Sequence, residues 1–365
     1  MEKSVDLSSG LPADRESVVM SEPTEPFWTE NLLFALYDPK SDIGFWLHLG
    51  TVANEWNLWE DRALVWLPGD EGVLSMCATH KTAPERRPAG ANLAFRCVEP
   101  FKRWKVTFDG FLLHTTNEEM AEGRARDGLK QRLTMDLDIE CTVPVWDAHS
   151  AAEADTGQGT MRGQGWATEH YEQLYRATGP VRIARGGRQP SPVSGADVLE
   201  IDFDGTGWRD HSRGPRGGST GAPWGGHVIM GCSYPSGKAW GLSQYWTPEG
   251  VISLEGGYVV DADGTLHHDQ VTESPRLREL RMAGEQLPVG LEWPGGKLDL
   301  SVEVKRSLWT AMPFSLAVGV DLSDNGLMYV LNFGDCAWDG ETASAYVERS
   351  DMLNQLAPET HQGTW

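Results

Sequence analysis

The stretch from Leu133 to Val145 constrains the fold more than any other. Leu133, Met135, Leu137, Ile139, Cys141, Val143 and Val145 are apolar, and Thr134, Asp136, Asp138, Glu140 and Thr142 alternate with them. A period of two marks a half-buried antiparallel strand with one solvated face. Trp104, Val106 and Phe108 alternate in the same way with Lys105, Thr107 and Asp109, as do Leu298, Leu300, Val302 and Val304 with Asp299, Ser301 and Glu303. Short apolar runs at 31–38, 44–51, 62–68 and 73–79 follow one another at near-hairpin spacing, broken by Gly, Pro, Asp and Asn. Helical signals are few. The stretch 116–131 holds two glycines and little apolar face and reads as a loop or short helix, and 167–179 suits either a helix or a strand. Sandwiches or partly closed barrels are the expected outcome.

At 365 residues the chain suits two domains rather than one core. The Gly-, Pro- and Ser-rich stretch 184–197 reads as the linker. The expected division is a disordered segment or arm over 1–20, β domains over 21–190 and 191–350, and a polar tail over 351–365. A net charge of −22 opposes binding to nucleic acid or anionic membrane surfaces. No apolar run approaches a spanning segment, and the start lacks a signal-peptide pattern. The five cysteines are scattered, without a CxxC pair, so neither a disulfide framework nor a zinc ribbon is expected. A reduced, cytoplasmic protein without stable membrane insertion is the expectation, and self-association into a homo-oligomer stays open. Sixteen tryptophans supply both core filling and wall material for a pocket that takes flat or apolar ligands.

The densest unusual segment is 198–227. It opens as a strand, with Leu199, Ile201 and Phe203 on one side and Glu200, Asp202 and Asp204 on the other. DGTG (204–207) then reads as a turn, after which GWRDHSRGPR gathers Arg209, Asp210, His211, Arg213 and Arg216 between glycines and a proline. An Asp beside a His with arginines nearby has the parts for proton transfer and for holding an anion or carbonyl, or else for pinning a domain interface. HYEQ supplies a second candidate, since on a strand His170 and Glu172 share one face. His267, His268 and Asp269 read as part of a hairpin turn and lack the convergence a metal requires. Cys232 lies in an apolar run and reads as core. No GxSxG elbow, P-loop, HExxH or dinucleotide fingerprint is present, so no cofactor is expected.

GWRDHSRGPR, after its Asp-rich strand and with HYEQ upstream, resembles the DHNWG-type motif of the AttH-like and carotenoid 1,2-hydratase-like proteins, specifically at Asp210, His211, Ser212 and Gly214. Arg213 stands where that family commonly has Trp. The resemblance implies an all-β fold of two tandem antiparallel lipocalin-like (calycin) barrel or sandwich domains. It also implies apolar substrates, since that group includes hydratases of terminal isoprene units and cofactor-independent cyclases. Three functions follow in order. The first is a hydratase, dehydratase or cyclase acting by acid catalysis on a terpenoid- or polyketide-like substrate in a Trp-lined pocket between the domains. Asp210 is its acid, with Glu172 a rival because Arg209 and Arg213 would depress an Asp210 they touch; His211 or His170 positions the acid or activates water. Trp208, Trp224, Trp240, Tyr245 and Trp246 would line the pocket, and Arg209, Arg213 and Arg216 would hold a polar end of the substrate. The second is a non-catalytic carrier of a lipophilic ligand. The third is a carbohydrate-active β-sandwich using Asp202 and Asp204.

Overall fold

The structure is a computed structural model that describes residues 5–52, 55–121, 128–148, 158–159, 164, 167–184, 198–215, 224–312 and 327–352. The expected linker beyond Ala184, Arg216 and the tail beyond Met352 lie outside these residues.

Alternating sequence becomes strand throughout. The first eleven strands are β1 (Trp28–Asp38), β2 (Ile43–Val52), β3 (Glu55–Trp66), β4 (Val73–Lys81), β5 (Leu93–Glu99), β6 (Arg103–Thr115), β7 (Lys130–Cys141), β8 (Trp146–Asp147), β9 (Gln158–Gly159), β10 (Glu169–Ala184) and β11 (Val198–Pro215). They run in the order β11-β1-β2-β3-β4-β6-β7-β10, and pairing of β10 with β11 closes the ring into an eight-stranded antiparallel barrel. β5 adds to β6, and β8 adds to β10. A second set comprises β12 (Gly226–Ser233), β13 (Ala239–Trp246), β14 (Ile252–Val260), β15 (Leu266–Glu273), β16 (Gln286–Trp293), β17 (Gly296–Met312), β18 (Leu327–Trp338) and β19 (Glu341–Met352). These close through β13–β14 into a second barrel, with β9 added to β14. Helix is scarce among the described residues: α1 (Asn117–Ala121) falls within the stretch read as loop or short helix, and 3-10 turns occupy Ala13–Glu16 and Pro84–Arg86. The 167–179 segment is strand from Glu169 onward. The fold is all-β and two-domain, as expected.

Two corrections concern boundaries. Residues 198–215, assigned from sequence to the second domain, belong to the first barrel, where β11 pairs with β10 from Glu169↔Arg213 to Ala184↔Val198 and with β1 from Trp28↔Pro215 to Tyr37↔Thr206. The segment read as an interdomain linker therefore joins neighbouring strands of one barrel, and the passage between barrels falls after Pro215. The DGTG turn is also absent, because β11 runs straight through it. Gly205 and Gly207 serve close packing instead. A Cβ on Gly205 would sit 2.2 Å from the Tyr37 carbonyl oxygen, and one on Gly207 would sit 2.2 Å from that of Ala35 and 2.6 Å from the Tyr175 ring.

Each barrel has its own apolar interior. Phe34, Phe45, Trp59, Trp104 and Phe203 fill the first, and Met230, Trp240, Trp246, Leu291 and Val302 the second. A third core lies between the barrels, where Leu33, Trp46, Trp66 and Trp208 of the first meet Ile229, Tyr245, Phe333 and Tyr346 of the second. Tyr37 stacks on Phe333 at 5.0 Å and Trp208 on Tyr346 at 5.4 Å. Residues 5–20 form an arm against the first barrel, anchored by the Val145 amide donating to the Leu7 carbonyl at 3.0 Å.

Candidate active site in the inter-barrel core

β10 and β11 present opposite faces to two different environments. Alternation sends His170, Glu172, Trp208, Asp210 and Ser212 toward the inter-barrel core, and Tyr171, Gln173, Arg209 and His211 toward the first barrel's interior. Asp210 and His211, expected to act as a pair, are therefore separated by the sheet. The expected conflict between Asp210 and Arg209 or Arg213 also does not arise, since odd and even residues of the strand face apart.

On the inter-barrel face, Glu172 and Asp210 are cross-strand partners. Two carboxylates directly opposite would repel, and His170, wholly buried, relieves this. Its Nε2 lies 2.8 Å from Glu172 Oε1 and its Nδ1 lies 4.0 Å from Asp210 Oδ2. Burial opposes the His170 imidazolium, but the hydrogen bond and charge of Glu172, with Asp210 and Asp147 behind it, outweigh burial and raise its pKa above the usual histidine value. Trp208 Nε1 donates to Glu172 Oε2 at 3.1 Å, and the Ser243 hydroxyl, reaching across from β13, donates to Oε1. Asp210 retains 16% side-chain exposure, whereas His170 and Glu172 have none. The trio thus runs from a partly exposed carboxyl inward to a wholly buried one.

The second barrel contributes a facing His–Glu pair. His227 Nε2 lies 3.0 Å from Glu348 Oε1, and its Nδ1 lies 2.6 Å from Ser350 Oγ. Burial works against the Glu348 carboxylate, but His227, Tyr346 and Trp46 outweigh it and lower its pKa. Tyr346 OH donates to it at 2.5 Å and Trp46 Nε1, from the first barrel, at 3.0 Å. Tyr245 lies between the two pairs. It stacks on His227 at 5.3 Å, and burial together with the charges of Glu172, Asp210 and Glu348 keeps its phenol protonated well above the ordinary range. Trp224 packs edge-on against His227 at 5.2 Å.

The remaining sequence candidates lie elsewhere. Arg209 is buried inside the first barrel. It donates through Nη2 to Glu16 Oε1 at 2.9 Å and to Gln173, and it lies 5.5 Å from the Trp104 ring centroid. The Glu16 carboxylate, brought in by the arm, also accepts from Tyr171 OH at 2.5 Å, Trp104 Nε1 at 2.7 Å and the Phe101 amide at 3.0 Å. Burial disfavours its charge, but Arg209 and these donors prevail and lower its pKa. His211 joins this network through Tyr171 OH at 2.9 Å and Glu30 at 2.8 Å. Arg213 pairs with Glu169 at 2.6 Å near the surface. Trp246 and Trp240 fill the second barrel's interior rather than the pocket wall. Asp204 pairs with Arg176 at 2.8 Å on an exposed face, and Asp202 is exposed beside it, so the sugar-cleaving carboxylate pair has no cleft. His267, His268 and Asp269 are on strand β15, not in a turn. Among the described residues no group of three His, Cys, Asp or Glu side chains is placed to hold a metal ion. Cys232 is core, as expected.

Sequence reasoning missed Ser243, His227, Tyr346 and Glu348. The signal for the last two was present: Tyr346, Glu348 and Ser350 alternate with Val347, Arg349 and Asp351, but both sets are partly polar and no face stands out.

Fold and site together define a tandem lipocalin-like two-barrel protein of AttH-like architecture. An AttH-assigned protein of Nitrosomonas europaea superposes with a TM-score of 0.57 at 12% identity, covering 91% of this chain and 94% of that one. CghA, in its structure with Sch210972, superposes with a TM-score of 0.54 at 9% identity over 90% and 89%. A kievitone hydratase from Nectria haematococca aligns over 95% and 97%, at 9% identity and a TM-score of 0.48. By sequence, residues 14–274 match the family described as a domain of unknown function, DUF7064, and the chain belongs to that family. No curated protein matches it.

Proposed function

We propose that the inter-barrel site performs acid–base catalysis without a cofactor on an apolar terpenoid- or polyketide-like substrate, as a hydratase, dehydratase or cyclase. The observation that carries this reading is the buried His170 between Glu172 and Asp210, in a wall made by Trp208, Tyr245 and Tyr346. Glu172 already accepts from His170, Trp208 and Ser243, so its role is to orient the imidazole and favour its charged form. Asp210 is the partly open carboxyl that meets the substrate, and His170 exchanges a proton with it. Protonation of an alkene or departure of an allylic hydroxyl leaves a carbocation, which the faces of Trp208, Tyr245 and Tyr346 stabilise. Water addition, proton loss or ring closure then gives the three product classes. CghA's structure with Sch210972 suits this range. Prenylated phenols and linear polyenes are the substrates to test by mass spectrometry. Asp210→Asn and His170→Gln are each expected to lower turnover at least a hundredfold, from the usual contribution of a positioned proton-transfer group. Full turnover by both variants sinks the assignment. A ligand recovered unchanged after long incubation favours the carrier reading instead.

A further inference from the structure

The polar side chains facing the inter-barrel core differ in what they are given to bind. Trp208 Nε1 and Ser243 donate to Glu172, and Trp46 Nε1 and Tyr346 OH donate to Glu348. Further donors in the same core without an acceptor among the described residues include the Trp66 indole N–H and two that lie together, the Tyr258 hydroxyl and the Trp146 indole N–H. Both side chains are 1% exposed, so water at the surface does not satisfy them. A buried donor without an acceptor costs stability, and a folded protein keeps such groups where something else completes them.

Their placement ties them to the candidate site. Trp146, on β8, is the cross-strand partner of Glu172 and so lies beside it on the same face. Tyr258 comes from β14 of the other barrel, and its ring stacks over Trp146 with centroids 6.1 Å apart at 24°. Burial, with the nearby charge of Glu172, keeps the Tyr258 phenol protonated and therefore a donor. One donor is thus supplied by each barrel, next to the carboxylate that fixes His170.

We propose that Tyr258 and Trp146 recognise an oxygen acceptor, a carbonyl or enol oxygen, carried by the otherwise apolar substrate of this site. The proposal rests on the inter-barrel reading above and narrows its substrate class from apolar terpenoid- or polyketide-like compounds in general to those carrying a conjugated carbonyl or enol oxygen. A carbonyl held there is polarised by two neutral donors, which draws electron density from a conjugated double bond and readies that bond for addition of water or a ring-closing partner. A purely hydrocarbon ligand leaves both donors unsatisfied and is selected against.

The experiment uses the full-length protein and two probes, benzylideneacetone and the hydrocarbon in which its carbonyl is replaced by a methylene group, measured by equilibrium dialysis. Wild-type protein is expected to bind the ketone roughly five- to tenfold more tightly than the hydrocarbon. Tyr258→Phe is expected to shrink that preference through weaker ketone binding, and to raise the melting temperature of the unliganded protein, because it removes the unsatisfied hydroxyl. Trp146→Phe serves as the second variant with the same expected loss of preference. Equal binding of the two probes by wild type overturns the acceptor proposal and leaves the apolar site standing. A preference that survives in both variants, or a lower melting temperature for Tyr258→Phe, also overturns it. Failure to bind either probe overturns this proposal and the inter-barrel site with it.

Discussion

Asp269 offers a sharp test of the physical chemistry of the second barrel. Its cross-strand partner is Gly257, whose missing Cβ would point at Leu291 and Val271, so the Asp269 carboxyl lies on the interior face. The residue is 0% exposed, and neither carboxyl oxygen has a hydrogen-bond partner among the described residues. Burial, offset by His267 and reinforced by Asp261, pushes its pKa up to about 7. In an unfolded chain the value is about 3.9. Folding therefore favours the protonated acid. The stability this adds is fully present below about pH 4 and is lost as pH rises through 7. A difference of about three pKa units, at about 1.36 kcal/mol each, makes the whole effect about 4 kcal/mol, of which about 3 falls between pH 5 and 8.5. Relaxation of the carboxyl toward solvent trims the expected figure to about 2 kcal/mol. Asp269→Asn keeps the shape and abolishes the charge. Its amide hydrogens find no acceptor either, at a cost of about 1–3 kcal/mol, but that cost is the same at every pH. Urea unfolding of both proteins at pH 5 and pH 8.5 isolates the charge, because all other titrating groups cancel. The variant should gain about 2 kcal/mol on wild type between the two conditions. A stability difference that is the same at both pH values would refute the reasoning.

Two further outcomes follow from the packing. Glu16→Gln leaves the buried Arg209 guanidinium without its counter-charge and should cost about 3 kcal/mol near neutral pH, with the penalty fading as acid protonates the wild-type carboxylate. Urea midpoints within experimental error of wild type would mean that the arm does not insert. Gly241→Ala places a Cβ 2.5 Å from the Tyr258 ring, which is stacked against Trp146, and should destabilise by about 1–3 kcal/mol in the same assay.

Much of the fold was legible because burial on one face writes itself as alternation. Leu133 to Cys141 became β7 with that pattern intact, and Trp104 to Phe108 became part of β6. The second barrel's first boundary was misplaced for a specific reason. Asp204, Gly205, Thr206 and Gly207 have turn composition, but the glycines there answer to the carbonyls of Tyr37 and Ala35 on the neighbouring strand, which local sequence does not reveal. That one misreading carried into the site. With a turn at 204–207, Asp210 and His211 can converge; with a continuous strand they cannot. HYEQ suits a helix or a strand by composition; as part of β10 it puts His170 and Glu172 on one face, the outcome expected of a strand. The partners from the second barrel are more than fifty residues away along the chain, and only closure of two barrels against each other brings Ser243 to Glu172.

The closing of both rings has a consequence for how such a molecule can be divided. Neither barrel keeps a long unpaired strand among the described residues, and the backbone pairing between the two halves is confined to the two-residue β9 against β14. Most of what joins them is a layer of aromatic side chains that each would have to expose alone, crossed by hydrogen bonds such as Ser243 to Glu172 and Trp46 to Glu348. A gene fragment encoding one barrel would produce a ring complete in its hydrogen bonds and adhesive on one flank, prone to clump with its own copies. The unit that buries this surface is therefore the pair, and the candidate site lies in the core the two barrels share.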